Sequence, residues 1–407
     1  DVPIALNQLA EGDYRVYVVG LDSAGQWQAY DQATASRMWT VDRGFSQLSI
    51  NEILALNQSM PTEQGLYPDA IELVFDGEQA LDLAGMMLSD DPCVPDKFVF
   101  APGTVLEPGG YLLLWGSEDP DPSQLHLGFS LDRDGEGLYL FDAQAGLLDS
   151  VEFGAQLPDL SIGRVEGSWC LSLPSLGAAN VPQPLGDYRD LRINEWLAHG
   201  QVLFEEDFVE LFNPRPHPVD IGGCLLTDHP MSVAMRTAFP PLSFVAGHGY
   251  LVLTADARKR PGHLDFKLSL EGEMLALFDA QGNEIDRIIY TSQTTDVSQG
   301  RTPDGGESLA FFALPTPGMP NPATGQLVMS TVIPIDQTWS YEPGGEALPE
   351  DWADPTYDAT HWPAGPGLLF VEGSSLPAAK RTPLTLGAMS YYFRSHFSLA
   401  KNPDAGQ

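Results

Sequence analysis

The sequence predicts an all-β protein made of tandem antiparallel β-sandwiches, and three observations predict it. One long segment occurs twice, from about Leu48 to Pro182 and again from about Leu191 to Pro322, a period far beyond that of solenoid units. Each copy divides into about seven or eight short apolar runs separated by turn residues, the spacing of a sandwich. No segment sustains a helical period, and 40 glycines and 34 prolines among 407 residues suit many turns.

The repeat is read directly from matching strings. Leu48-Ser-Ile-Asn-Glu52 returns as Leu191-Arg-Ile-Asn-Glu195, and Gly85-Met-Met-Leu-Ser-Asp90 as Gly223-Cys-Leu-Leu-Thr-Asp228. Leu138-Tyr-Leu-Phe-Asp-Ala-Gln144 returns as Leu275-Ala-Leu-Phe-Asp-Ala-Gln281, Gly163-Arg164 as Gly300-Arg301, and Gly177-Ala-Ala-Asn180 as Gly318-Met-Pro-Asn321. The offsets stay between 137 and 143 residues, so a handful of loop insertions and deletions relate the copies. A repeat of this length is a duplicated domain. Duplicated small β-domains usually bind or space things, whereas enzymes more often keep one catalytic copy.

Taken in order, residues 1–43 carry two alternating runs. Tyr14-Arg-Val-Tyr-Val-Val-Gly20 places Tyr14, Val16 and Val18 on one face of a half-buried strand, Asp22-Ser-Ala-Gly25 is a turn, and Met38-Trp-Thr-Val41 is a closing strand. The first copy then reads as strands at Leu48–Ala55, Ile71–Phe75, Met86–Leu88, Phe98–Phe100, Tyr111–Trp115, Gly137–Phe141 and Val151–Phe153. Glu107-Pro-Gly-Gly110 and Ala143-Gln-Ala-Gly146 are turns between them.

These residues carry resemblances. Asp69-Ala-Ile-Glu-Leu and Asp207-Phe-Val-Glu-Leu-Phe-Asn213 follow the opening Ile-Asn-Glu. Next come Leu81-Asp-Leu-Ala-Gly-x-x-Leu-Ser-Asp-Asp91 and Phe100-Ala-Pro-Gly-Thr-x-Leu-x-Pro-Gly-Gly-Tyr-Leu-Leu-Leu114, and each copy closes on Gly-Arg and Gly-x-x-Asn. The combined string resembles the lamin tail domain, an immunoglobulin-like sandwich of nuclear lamins and of many secreted bacterial proteins, and it covers both copies. The second copy departs where Asp91 becomes His229 and where Pro-Gly-Thr becomes Pro241-Leu-Ser243. The pattern from Leu9 to Trp27 resembles the last strands of a fibronectin-III-like or other immunoglobulin-like domain. Thr338-Trp-Ser-Tyr341, the Trp-x-Asp-x-x-Tyr-Asp-x-x-x-Trp run from Trp352 to Trp362, and Tyr391-Tyr-Phe-Arg-Ser-His-Phe397 resemble the opening half of a galactose-binding-like jelly roll.

The expected architecture is therefore tandem immunoglobulin-like sandwiches plus a partial β jelly roll. Its parts are an immunoglobulin-like end (1–43), two lamin-tail-like domains (46–182 and 189–322) and a partial galactose-binding-like domain (330–407). Proline-containing links at Val181-Pro-Gln-Pro184 and Pro320-Asn-Pro322 are expected to keep the domains extended. The abrupt start at Asp1-Val-Pro-Ile and end at Asn402-Pro-Asp-Ala-Gly-Gln407 read as an internal piece of a longer polypeptide.

A formal net charge of −36 argues against nucleic acid and against an anionic membrane surface, since both demand clustered Lys and Arg. It reads as a solvated acidic surface, with cation binding as the alternative. No apolar run approaches the ~20 residues that span a bilayer. Cys93, Cys170 and Cys224 form no metal-binding spacing. Cys93 and Cys170 share a copy and are candidates to pair, or all three are independent thiols, with Cys224 a small buried hydrophobe.

Candidate chemistry is sparse. Glu52/Glu195 and Glu72/Glu210 recur as two carboxylates per domain, the residue types of an acid–base pair or of calcium ligands, or else structural carboxylates that accept backbone or Asn/Arg hydrogen bonds. Asp132-Arg-Asp134-Gly-Glu136 imitates the first half of a calcium loop, but its twelfth position falls on Ala143, so a hairpin turn is the competing reading. Asp132, Asp134 and Glu136 are the candidate calcium ligands; no other cofactor is expected. His126 and His263 occupy equivalent positions and read as structural histidines. Trp352 and Trp362 are candidate stacking platforms for a glycan, weighed against a place in the core. No nucleophile elbow, zinc-protease, P-loop or dinucleotide motif is present.

The expected function is a non-catalytic spacer, adhesion or tethering region of a secreted or surface bacterial protein, with a protein or glycan partner and no membrane insertion of its own. The alternative is a carbohydrate-binding accessory region of an extracellular enzyme. The lamin-tail resemblance implies neighbours such as spore-coat-H-type kinases, nucleases or other hydrolases.

Overall fold

The computed structural model describes residues 9, 11–21, 25–36, 38–42, 46–61, 65–118, 121, 125–202, 204–230, 237–322, 336–344, 348–371, 380–385 and 390–396. Asp1-Val-Pro-Ile, most of the turn before Gly25, Asp119-Pro120, Phe397 and the final Asn402–Gln407 run lie outside them. The protein is all-β with short 3₁₀ turns, and it divides into two compact units, Asp1–Gln326 and Leu327–Gln407.

The first unit opens with β1 (Gly12–Tyr14), β2 (Tyr17–Val18), β3 (Thr34–Ala35) and β4 (Trp39–Val41). They pair as two antiparallel ribbons, β1 with β4 and β2 with β3. The expected single run from Tyr14 to Gly20 breaks in the middle. Val16 donates its N–H to Ser36 Oγ (2.9 Å) and accepts from Ser36 N–H (2.8 Å), so the ladder is interrupted there. Val18 is left exposed instead of sharing the face of Tyr14 and Val16.

The first copy contains β5 (Leu48–Leu54), β6 (Asp69–Phe75), β7 (Leu81–Asp82), β8 (Met87–Ser89), β9 (Phe98–Val99), β10 (Val105–Leu106), β11 (Tyr111–Gly116), β12 (Glu136–Phe141), β13 (Leu147–Phe153), β14 (Ser161–Val165), β15 (Ser168–Leu173) and β16 (Val181–Pro182). A six-stranded sheet in the order β11-β6-β5-β14-β15-β16 faces a four-stranded sheet, β13-β12-β8-β9, and β7 pairs with β10 at one end. The second copy repeats the plan with β17 (Arg192–Leu197), β18 (Asp207–Phe212), β19 (Val219–Asp220), β20 (Leu225–Thr227), β21 (Thr237–Ala238), β22 (Phe244–Val245), β23 (Tyr250–Ala255), β24 (His263–Leu264), β25 (Gly272–Phe278), β26 (Glu284–Thr291), β27 (Ser298–Arg301) and β28 (Leu309–Phe312). Its sheets are β24-β23-β18-β17-β27-β28 and β21-β20-β25-β26. Each copy is thus a two-layer immunoglobulin-like sandwich.

Strand periodicity explains the cores. Ile71, Leu73 and Phe75 alternate inward from β6 and meet Leu138 and Leu140 from the opposite layer; Val209 and Leu211 meet Leu275 and Leu277 in the same way. On β5 the alternation is broken by a bulge between Ile50 and Glu52, matched between Ile193 and Glu195 on β17. The extra residue shifts the phase, so Ile53 faces the core although it lies three positions after Ile50.

The repeated Gly-Arg string ties the layers together. Arg301 on β27 reaches both oxygens of Asp286 on β26 from its single nitrogen Nη2, 3.0 Å each, and donates from Nε to the Ile193 carbonyl (2.8 Å). Arg164 grips Asp149 likewise at 2.7 and 2.8 Å, and the ring of Trp169 lies against its guanidinium. In both copies the aspartate also accepts the backbone N–H at the start of the bulge, from Ile50 or Ile193. All three cysteines are free thiols, and Cys224 lies in the second core, where burial pushes its pKa up to about 11.

The second unit carries the sheet β30 (Ala364–Pro366), β29 (Thr338–Glu342), β33 (Tyr392–Arg394), and the parallel pair β31 (Leu369–Phe370) and β32 (Thr382–Pro383).

Removing one partner of a buried ion pair strands the other charge. Arg301→Ala should therefore cost ~3–5 kcal/mol in urea unfolding of the chain, since both partners are about nine-tenths covered. Arg215→Ala, which breaks an exposed pair with Asp190, should cost less than ~1 kcal/mol in the same measurement.

Candidate functional site

The recurring glutamates and asparagines of each copy converge on one place, the outer face of the six-stranded sheet. Glu72 sits between Ile71 and Leu73, so alternation turns it away from the core. The bulge turns Glu52 the same way and sets it directly across from Glu72 in the β5–β6 register. In a plain sandwich this face meets water, yet both carboxylates are fully buried. The chain after β15 folds back over them. Glu52 accepts from Ser161 Oγ (2.5 Å), from Ser175 N–H (3.0 Å) and from Ser175 Oγ (3.3 Å). Glu72 accepts from Asn51 Nδ2 (2.7 Å) and from the Gly177 N–H. Asn180 donates to the carbonyls of Asn51 (3.0 Å) and Arg164 (2.9 Å).

The second copy builds the same clasp. Glu195 accepts from Ser298 Oγ and from Thr316 N–H (3.0 Å) and Oγ1 (3.1 Å). Glu210 accepts from Asn194 Nδ2 (3.0 Å) and Gly318 N–H (2.6 Å). Asn321 donates to the Arg301 carbonyl (2.9 Å) and lies flat on β27, where a Cβ on Gly300 would come within 2.6 Å of the Asn194 carbonyl and 2.9 Å of Asn321 Nδ2. A third acid joins here: Asp304 accepts from Asn194 Nδ2 (2.9 Å), Tyr250 OH (2.8 Å) and Asn321 N–H (3.0 Å).

Burial dominates the electrostatics. It raises the pKa of Glu72 and Glu195 and pushes Glu210 up to about 8, with the charges of Glu195 and Asp304 adding to the rise. Two carboxyls facing each other out of water share a proton more readily than they hold two charges. Their oxygens are occupied by donors of the same domain. Of the two roles considered for these glutamates, the structural one accounts for their contacts: they fasten the end of each domain to its first hairpin.

The calcium candidates lie in a tight turn that leads into β12; the preceding strand β11 belongs to the other sheet, so the turn is not the hairpin the sequence suggests. Asp132 N–H donates to Glu136 Oε1 (2.6 Å), Asp134 N–H to Asp132 Oδ1 (2.9 Å), and Gly135 N–H to the Asp132 carbonyl (3.0 Å). Burial, aided by Asp90, Asp132 and Asp69, pushes Glu136 up to about 7. Among the described residues no group of three His, Cys, Asp or Glu side chains is arranged to hold a metal ion. His126 lies 3.2 Å from Ser117 Oγ, and His263 Nδ1 lies 2.9 Å from Asp256 Oδ2.

The tryptophans of the second unit are packed against their own module. Trp362 is 6% exposed and lies against Tyr357, whose ring also carries the Arg394 guanidinium. Trp352 is half-buried, edge-on to Tyr392, and its carbonyl accepts from Arg394. Trp362 is therefore a core residue, not a platform, because its ring is covered by its neighbours.

Sequence reasoning singled out the glutamates but missed Ser161/Ser298, Ser175/Thr316 and Asp149/Asp286, which complete the clasp and the ion pair. Each falls within the offsets of the repeat, so extending the alignment beyond identical strings finds them.

The duplicated sandwich, its opening bulge and its closing clasp define an immunoglobulin-like domain in tandem. The profile of the Lamin Tail Domain matches residues 43–155 and 186–292, and the chain belongs to this family of non-catalytic, immunoglobulin-like domains. Neither curated proteins nor solved structures gave a match.

A carboxyl whose folded pKa lies above its unfolded value binds more protons when folded. Its stabilising effect is complete below the unfolded value, near 4.5 for Glu210, and is lost as pH rises through about 8. The unfolding free energy of the chain should fall between pH 5 and pH 8, on the order of 1.4 kcal/mol per pH unit at most. Glu210→Gln should flatten that slope. Millimolar calcium should leave the melting temperature unchanged, because the Asp132 turn is held by its own backbone; a rise reversed by chelator would make it a cation site.

Proposed function

We propose that the chain is a structural and interaction region of a larger secreted or cell-surface bacterial protein, where it spaces and tethers neighbouring domains. The observation that carries this reading is the use of the recurring polar residues. The glutamates, asparagines and arginines repeated in both copies are spent on closing each sandwich, the economy expected of a scaffold. The acidic surface supports it as well, since a charge of −36 keeps a long tandem solvated. Among the described residues no helix is long and apolar enough to cross a membrane.

The partner in this reading is a surface protein or glycan. A cleft of about 1160 Å³ beside the first sandwich, lined in part by Trp39, Leu147, Arg164 and Trp169, offers aromatic and charged groups to such a partner. The flanking segments are read as pieces of an immunoglobulin-like and a galactose-binding-like domain. In the alternative, the C-terminal module grips a glycan for a neighbouring enzyme. Burial of Trp362 removes one of its two platforms and leaves Trp352 to carry it.

Antibodies against residues 46–322 should label intact cells of the source organism as strongly as permeabilised ones. Labelling only after permeabilisation would overturn the surface assignment. On immobilised surface polysaccharide, retention lost in Trp352→Ala would favour the glycan reading; retention lost in Trp169→Ala would move the contact to the cleft.

A further inference from the structure

The two sandwiches share a residue. Phe244 belongs by sequence to the second copy, on β22, where it pairs with Asp220. Its ring is 1% exposed and belongs to the core of the first copy, among residues such as Phe153 and Leu157. The next residue, Val245, points the other way into the second core. A two-residue strand with period two thus bridges two hydrophobic cores.

The backbone around it is matched to the join. Gly154 N–H donates to the Pro241 carbonyl (3.0 Å) and Phe244 N–H to the Ala155 carbonyl (2.8 Å). The Gln156 amide donates to the carbonyls of Gly154 and Leu242, 2.8 Å each. The approach is so close that a Cβ on Gly154 would lie 1.9 Å from Ser243 Oγ. The link is pinned at both ends, with Gln183 N–H on the Leu171 carbonyl and Gly186 N–H on the Pro218 carbonyl, 2.8 Å each. Only Pro184 and Leu185 lie between the two anchors.

The copies differ where the join is made. The position of Phe244 is Val105 in the first copy, and Val105 is 48% exposed. Gly103 becomes Leu242, which keeps a left-handed φ of +53° and packs against the first core. A non-glycine residue there costs on the order of 1 kcal/mol. Gly154, which accepts the contact, becomes Thr291 in the second copy. The key and the lock are each built once, so the contact joins these two domains and does not propagate to further copies.

We propose that the two lamin tail domains form one rigid, cooperatively folding body, with Phe244 and Leu242 of the second domain completing the core of the first. This deepens the spacer reading, on which its functional meaning rests, but its test reads the join alone. Hydrogen exchange of the full chain is followed strand by strand. Phe244→Ala should speed exchange of β5 and β12, in the domain that does not contain residue 244, by about tenfold or more. Val105→Ala, at the equivalent exposed position, should change exchange less than about twofold. Since Phe244→Ala empties a core, Gly154→Val supplies a second arm that leaves both cores their side chains. After cleavage at a protease site inserted between Pro184 and Leu185, the wild-type chain should elute as one species on gel filtration. The Gly154→Val chain should separate into two. Effects of Phe244→Ala confined to the second domain, or separation of the cleaved wild-type chain, would overturn the proposal. Surface display would be untouched by either result.

Discussion

The fold depends on burying pairs of glutamates on a face that an ordinary sandwich leaves wet. Glu52 with Glu72, and Glu195 with Glu210, are withdrawn from water and held by hydroxyls, amides and backbone N–H groups. An uncompensated buried carboxylate is costly, so every donor must be present at once. That requirement explains why the matching strings are scattered over the domain. The bulge supplies Glu52 and Asn51, the hairpin supplies Glu72, β14 supplies Ser161, and the returning arm supplies Ser175, Gly177 and Asn180. None of them is useful without the others, and together they make the last segment of the chain a condition for closing the first.

The Arg–Asp pair works by a related logic on the other side of the bulge. Asp149 and Asp286 sit on the four-stranded layer, while Arg164 and Arg301 sit on the six-stranded layer. One guanidinium nitrogen, Nη2, reaches both carboxylate oxygens in each pair, a charge-assisted contact that holds the layers at a fixed distance. The apolar core sets how the layers face; this pair sets where they stop.

Much of the fold was legible because strand alternation and turn residues are local signals. The β5, β6, β11 and β12 runs are rich in Leu, Ile and Phe and were read within about two residues of their ends. The hairpin of β14 and β15 was missed because Ser161-Ile-Gly-Arg-Val165 has little strand propensity: its glycine and arginine serve the clasp and the ion pair. The glutamates were legible as recurring residues, with a structural role among their readings and asparagine and backbone donors named by type, but their serine and threonine donors were not. Ser161, Ser175 and Gly177 lie more than 100 residues along the chain from the glutamates they bind, so only the folded sheet brings them near. The Trp352 and Trp362 candidates illustrate the opposite limit, because an aromatic motif reads the same whether its rings line a core or a binding face.

Repetition shows what an immunoglobulin-like domain of this kind needs; divergence between the copies shows what this chain does with two of them. The change of Pro-Gly-Thr to Pro241-Leu-Ser243 reads in the sequence only as a departure from the pattern. In the fold, the same three positions hold the Gly154 contact, the left-handed turn and the approach to Phe244. A glycine has been given up where the turn still demands a positive φ, and an exposed valine has become a phenylalanine where a second core is within reach. Both changes are unfavourable for an isolated sandwich, one by backbone strain and the other by presenting an aromatic ring to water. They become favourable only when the first domain is in place to receive them, so the second domain carries in its sequence the imprint of its neighbour.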